Sequence, residues 1–490
     1  MRGGLLAAAG IAAMVTAAAA HGQTLREALV KTYGTNPTIM AQRAQLRGLD
    51  ENVAIARAAR RPQISGTAGV NQNLLRTGGG SGGRNLNAGI DISYPIFEGG
   101  RSRNQIRAAN ERVLAGRANL RATEGDIFTE AVSVYMDVIR DRSIVSLNRN
   151  QVRVLETNLQ ATRDRFEVGD LTRTDVAQSE ARLALARSTL ATAEGRLESS
   201  EENFRRVIGE LPDDLQPPPA LPTMPRTPDE AVDIALANNS DLVAIAAQIR
   251  AAGRDISVAR ADRLPTVEGV SQSGYTNYLG TADEQFGGTG NNNSIANTAV
   301  GVQARIPIYQ GGIVSARVRQ AQAQQSQLLE RGIEVERLVV ANTRAAFASY
   351  QASLEAIESN EVAVAANTLA LEGTRAEQTV GTRNVLDVLN AEQELLNSQV
   401  ALVTARRDAY VAGFALLNAM GRAEAEDLNL DGGVLYDPVA NYTRVNRRSS
   451  DWSDDEAPQP VSTRTVTGAA AETPVEERGA TVMGPPQTPQ

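Results

Sequence analysis

Few of the side chains that usually perform chemistry are present. There is no cysteine, and the single histidine is His21. Thiolate metal sites, cysteine nucleophiles and disulfides are therefore excluded. Histidine-based proton transfer and metal ligation have only a residue beside an expected processing site. Carboxylates remain, but no sequence-local pair stands in a pocket-like context, which argues against a hydrolase and implies no cofactor and no metal. The acids that stand out do so by position. Asp175 and Asp387 each follow a glycine, Gly169 or Gly381, by the same spacing. In the first turns of a helix such a carboxylate stabilises the N-terminus. Asn390 follows Asp387 at i+3, on the same helix face.

That repeated spacing belongs to a chain written twice. Tyr94-Pro95-Ile96-Phe97-Glu98-Gly99-Gly100 returns as Ile306-Pro307-Ile308-Tyr309-Gln310-Gly311-Gly312, and Val168-Gly169 returns as Val380-Gly381 at the same offset of 212. Ile208-Gly209 returns as Met420-Gly421. A unit of this length is too long for a solenoid repeat and suggests two equivalent halves, 23–226 and 227–436, arranged around an axis. No proline falls between Pro95 and Pro212, or between Pro307 and Pro438. Because proline costs about 3 kcal/mol inside a helix, both gaps permit very long helices. Ala131, Val134, Val138, Asp141, Val145, Asn148, Val152, Leu155 and Leu159 follow alternating spacings of three and four, a coiled-coil seam with two polar interruptions. Val176, Ser179, Leu183, Ala186, Leu190, Ala193 and Leu197 keep the rhythm, as do Val388, Ala391, Leu395, Ser398, Leu402 and Ala405. Each half thus reads as a long helical hairpin whose tip is the left-handed turn at Gly169 or Gly381.

Before each hairpin the period changes to two. Ala88, Ile90, Ile92, Tyr94 and Ile96 alternate with Asn87, Asp91 and Ser93, a strand over about 85–97 with one apolar and one polar side. Val300, Val302, Ala304, Ile306 and Ile308 repeat this over about 295–309, and preceding strands are expected at about 63–73 and 266–278. Gly-rich loops at 77–83 and 287–293 join the pairs. Pro95 with Gly99 and Gly100, and Pro307 with Gly311 and Gly312, mark the strand-to-helix junctions. Four strands cannot close a membrane barrel, which needs about eight, and open edges are not tolerated in lipid. Three copies would supply twelve. The competing reading is an ordinary soluble hairpin packed on the helices.

Arg2, the apolar run Leu5 to Ala20 and the small residues Ala17–Ala20 read as a secretory signal over 1–22. The formal charge of −8 argues against nucleic acid as a partner. The tail 437–490, rich in Pro, Ser, Thr and acids, is expected to be disordered and periplasmic.

The duplication, the proline junctions with their Gly-Gly pairs and the hairpin tips together resemble the TolC family of outer-membrane efflux proteins over about 24–436. The segment Val380-Gly381-Thr382-Arg383-Asn384-Val385-Leu386-Asp387-Val388-Leu389-Asn390-Ala391 is its most specific match. The resemblance implies a mixed fold: a long α-helical barrel of coiled-coil hairpins with a twelve-stranded transmembrane β-barrel, built by a homotrimer. It implies a duct through the outer membrane, docked through a periplasmic adaptor onto an inner-membrane transporter of the RND, ABC or MFS type, and no catalysis. By the family's pattern Asp387 lies at the periplasmic aperture, where three copies form an acidic ring that attracts cations. Asn390 occupies the position of a second aspartate, so that ring is neutral here and cation selectivity should be weaker. Arg383 matches the gate arginine, with Thr174 and Asp175 as its partners on the first hairpin. Gln378 stands where the family often has a tyrosine. Gly169 and Gly381 are also the expected adaptor contacts. A periplasmic coiled-coil scaffold or adaptor without a pore is the alternative, disfavoured by the duplicated amphipathic strands.

Overall fold

The computed structural model describes residues 23–72, 83–281, 293–428, 430, 435–462 and 464–465. The secretory signal and most of both Gly-rich loops lie outside the described residues. The first half runs α1 (Leu25–Thr35), α2 (Pro37–Ala58), β1 (Gln63–Gln72), β2 (Arg84–Phe97), α3 (Arg101–Glu167) and α4 (Arg173–Ile208). The second runs α5 (Pro228–Asn238), α6 (Ser240–Ala261), β3 (Thr266–Asn277), β4 (Ser294–Arg305), α7 (Ile313–Thr379) and α8 (Val385–Ala419), followed by α9 (Ala440–Arg447). The halves match element for element. Helices α1 and α5 have 11 residues each, α2 and α6 have 22, and α3 and α7 have 67. At 1.5 Å per residue the two longest helices each span roughly 100 Å.

Local sequence sets the boundaries. Thr24 and Glu27 form a capping box at α1, while Asn36 caps α2 with Pro37 at its first turn. Thr227 with Pro228 and then Asn239 repeat the caps at α5 and α6. Gly99 and Gly100 precede α3 with φ 62° and 83°, and Gly311 and Gly312 precede α7 with the same two values. Such angles are open to glycine at little cost. At Gly99 there is a second requirement, because a Cβ there would lie 2.7 Å from Leu264 Cβ.

Helices α3 and α4 form one hairpin, α7 and α8 the other, and α8 also lies along α3. The expected seam is the buried face of α3, with Ala131, Val134, Val138, Asp141, Val145, Asn148, Leu155 and Leu159 all buried. Its first polar interruption is fully satisfied. Asp141 accepts from Arg140 Nε at 2.8 Å and from Ser200 Oγ of α4 at 2.5 Å. The main core gathers where α1 and α5 pack on the long helices. It includes Leu25, Leu29, Phe128, Tyr135, Phe204, Ile208, Leu416, Leu417 and Met420. Tyr135 donates its hydroxyl to the Gln216 carbonyl at 2.7 Å, which lets a phenol sit in that core.

The four strands form one antiparallel sheet in the order β1-β2-β3-β4. Its pairing puts Ile64, Ile92, Ser271 and Val300 in one row, and Ala68, Ala88, Tyr275 and Ala296 in another. Side chains directly opposite one another share a face, so the apolar residues of the strands collect on one side. That side is exposed in the single chain, with Ile90 at 54%, Val300 at 81% and Val302 at 70%, and β1 and β4 are exposed along both faces. A hairpin packed on helices would bury these residues, so the soluble-hairpin reading is overturned.

Two expectations are corrected. Strand β4 ends at Arg305 rather than 309. Arg305 pairs with Thr266, the first residue of β3, and Ile306 to Tyr309 have no strand beside them. In the first half β2 continues to Phe97 because β3 pairs with it as far as Val267. The second correction concerns the tail, which is not disordered throughout. Helix α9 docks on α2, with Val445 buried, Asn441 Nδ2 donating to Asp50 Oδ2 at 2.8 Å, and Tyr442 donating to Asn110 Oδ1 at 2.9 Å. Arg444 and Arg448 then both grip Asp455. Polar composition concealed the helix because its anchors are hydrogen bonds, which composition does not reveal.

Candidate functional site: the hairpin tips

Each tip is built by the glycine that ends the descending helix. Gly169 (φ 83°) donates to the Phe166 carbonyl at 3.0 Å, and Asp170 N–H to the Arg165 carbonyl at 2.9 Å. Gly381 (φ 82°) donates to the Gln378 carbonyl at 3.0 Å, and Thr382 N–H to Glu377 at 3.0 Å. These bonds satisfy helix-end carbonyls and turn the chain back.

The return helices start with capping boxes, and here the two aspartates are placed. Thr172 Oγ1 accepts from Asp175 N–H at 3.3 Å while Asp175 Oδ2 accepts from Thr172 N–H at 2.8 Å. In the second tip Asn384 Oδ1 accepts from Asp387 N–H at 2.8 Å, and Asp387 Oδ2 accepts from Asn384 N–H at 3.3 Å. Both carboxylates therefore act as helix caps. The two bonds from Thr172 hold the Asp175 carboxyl below its ordinary range.

Within the single chain Arg383 is not paired with Thr174 or Asp175. Its Nε donates to Glu377 Oε2 at 2.8 Å, a pair exposed on both sides. The Glu377 hydrogen bond and charge raise the Arg383 pKa above its ordinary value. The reason is local: Glu377 lies in the last turn of α7, within reach across the glycine turn, and Asp175 is engaged by its own cap. Thr174 is exposed on the first turn of α4, and Gln378 contributes its carbonyl to the Gly381 turn.

The link between hairpins is made by contacts the sequence reading missed. Leu389 of α8 is buried against Leu155 and Leu159 of α3 and Leu183 of α4. On one side of it Asn390 Oδ1 accepts from Arg182 of α4 at 2.7 Å. On the other, Glu392 is only 3% exposed. Its carboxylate accepts from Asn158 Nδ2 of α3 at 3.0 Å and from Arg375 of α7 at 2.9 Å. One buried acid thus ties three helices from both hairpins. The signal was available: Glu392 continues the buried series Val388, Leu389, Leu396 on α8, and an acid on a buried stripe demands partners.

At the other end of the long helices Asp262, just after α6, meets Arg101 of α3 and, at 3.3 Å, Arg317 of α7. Both strand-to-helix junctions are thereby clamped to one carboxylate. No described helix is long and apolar enough to cross a membrane. Among the described residues no three His, Cys, Asp or Glu side chains gather as a metal site.

This architecture has close counterparts. The profile of the family described as outer membrane efflux protein matches residues 28–210 and 231–422, one stretch in each half. The outer membrane efflux protein BepC of Brucella suis is 37% identical over 441 residues, covering 88% of this chain and 92% of that one. The outer membrane protein TolC of Escherichia coli is 25% identical over 457 residues, covering 88% and 91%. Among solved structures, CusC superposes with a TM-score of 0.71 at 17% identity, covering 81% of this chain and 92% of that one. VceC of Vibrio cholerae does so with a TM-score of 0.69 at 21% identity, covering 81% and 96%. The chain belongs to the outer membrane efflux protein family.

Proposed function

We propose that three copies of this chain form a duct that exports material across the outer membrane, with no chemistry of its own. The observation that carries this reading is the sheet. It exposes its apolar face and leaves β1 and β4 with open edges in the single chain. Lipid suits the face, and neighbouring copies suit the edges. Twelve strands then close a barrel, and the long hairpins of two duplicated halves per chain continue it as a periplasmic tunnel. At the tunnel's far end the tips at Gly169 and Gly381 meet a periplasmic adaptor, which joins the duct to an inner-membrane transporter. The transporter supplies the energy.

Asp387 then forms an acidic ring at the aperture, and Asn390 a neutral one beside it. Substrates are small molecules, proteins or both. One relative is named for protease secretion, the alkaline protease secretion protein AprF, and another for metal resistance, the cobalt-zinc-cadmium resistance protein CzcC; each matches at 24% identity. The test is fractionation followed by mass measurement in detergent. Outer-membrane material at three times the protomer mass supports the reading. A soluble periplasmic monomer would favour the pore-free scaffold.

A further inference from the structure

We propose that Arg182 sets the charge of the aperture's second level and with Asp387 determines which ions pass. This inference rests on the channel reading above. Arg182 lies on α4 beside Leu183, and Asn390 lies on α8 beside Leu389. The two leucines pack together in the buried cluster, while Arg182 is half-buried and Asn390 exposed. The Arg182–Asn390 hydrogen bond of 2.7 Å therefore bridges the hairpins on the open side of that contact. Asn390 is three residues from Asp387, about one helical turn along α8. The guanidinium is thus fixed next to the level occupied by the Asp387 carboxylate.

What distinguishes this arginine is the absence of a compensating acid. Its partner is a neutral amide, and among the described residues no carboxylate pairs with it. Neighbouring acids are engaged elsewhere. Glu180 pairs with Arg163, Glu377 with Arg383, Glu392 with Arg375 and Asn158, and Asp175 with Thr172. Each protomer therefore presents one negative charge from Asp387 and one positive charge from Arg182, stacked along the path. Rings of fixed charge at a constriction select the opposite ion. Two rings of opposite sign should leave little preference, a larger departure from cation selectivity than a neutral Asn390 alone would give.

The experiment is the reversal potential of the full chain in planar bilayers under a KCl gradient. Wild type is compared with Arg182→Gln, Arg182→Lys and Asp387→Asn. Near-equal K+ and Cl− permeability is expected for wild type and for Arg182→Lys, which keeps the charge. Arg182→Gln keeps a donor to Asn390 and removes the charge, so it should raise the K+ to Cl− permeability ratio about twofold or more. Asp387→Asn should lower the ratio by a similar factor.

A ratio unmoved by Arg182→Gln but lowered by Asp387→Asn would overturn the proposal and leave the aperture where it was placed. A Lys variant shifted as far as the Gln variant would also overturn it, since geometry rather than charge would then matter. Conductance that neither substitution alters would overturn it by placing the constriction elsewhere. Absence of conductance in every variant would overturn the channel reading itself.

Discussion

Asp387 and Asp175 each have one role that the single chain displays, and the ring proposed for Asp387 would be a second. Both close capping boxes, and helix-start carboxylates need no further purpose. A ring role for Asp387 is compatible with its cap, since an ionised carboxylate has two oxygens and about four acceptor sites. Glu392 has a single, structural role. Replacing it with alanine removes the hydrogen bonds from Asn158 and from the Arg375 guanidinium and leaves Asn158 facing a buried gap. The expected loss is about 1–3 kcal/mol, read as a lowered melting temperature, with the hairpins parting first in hydrogen exchange near Asn158 and Arg375. Unchanged protection there would remove Glu392 from this account.

Glu124 predicts a pH dependence. Burial drives its pKa up to about 7, opposed by Arg43 and reinforced by Glu424. A carboxyl raised in the folded state stabilises the fold fully below its ordinary value of 4.5, and that stability is lost as pH rises through about 7. The shift corresponds to about 3 kcal/mol. Glu124→Gln should therefore melt above wild type at pH 8 and close to it at pH 4. Equal gaps at both pH values would contradict this assignment.

The junction glycines separate two physical reasons for glycine. Gly99 and Gly311 share φ 62°, yet a Cβ at Gly99 meets Leu264 whereas at Gly311 nothing lies within 4 Å in the chain. Alanine at Gly311 should cost about 1–2 kcal/mol from backbone strain alone, and alanine at Gly99 clearly more. Melting of the two single variants checks the order; equal losses would mean that Leu264 yields freely. Much at this level was legible in the sequence. Proline-free gaps and the three-four spacing located the long helices, because both express backbone and packing rules local to the chain. The end of β4 was not legible, because Ile306 and Ile308 continue the alternation while the strand needs a neighbour that β3 does not provide. The Arg182–Asn390 and Glu392 links were missed for a similar reason. They depend on which residues of α3, α4 and α8 reach the same level, and periodicity fixes a face without fixing the height.

Assembly is where the two ends of the chain acquire a common purpose. The sheet offers apolar surface and open edges at one end, Asp262 clamps both long helices beneath it, and the Leu389 cluster closes the hairpins on each other at the other end. The most direct test is single-channel recording of the purified full chain in a planar bilayer. Insertion with discrete, uniform conductance steps, from material of three times the protomer mass, is the predicted result. Protein that remains soluble, monomeric and electrically silent at the bilayer would contradict it.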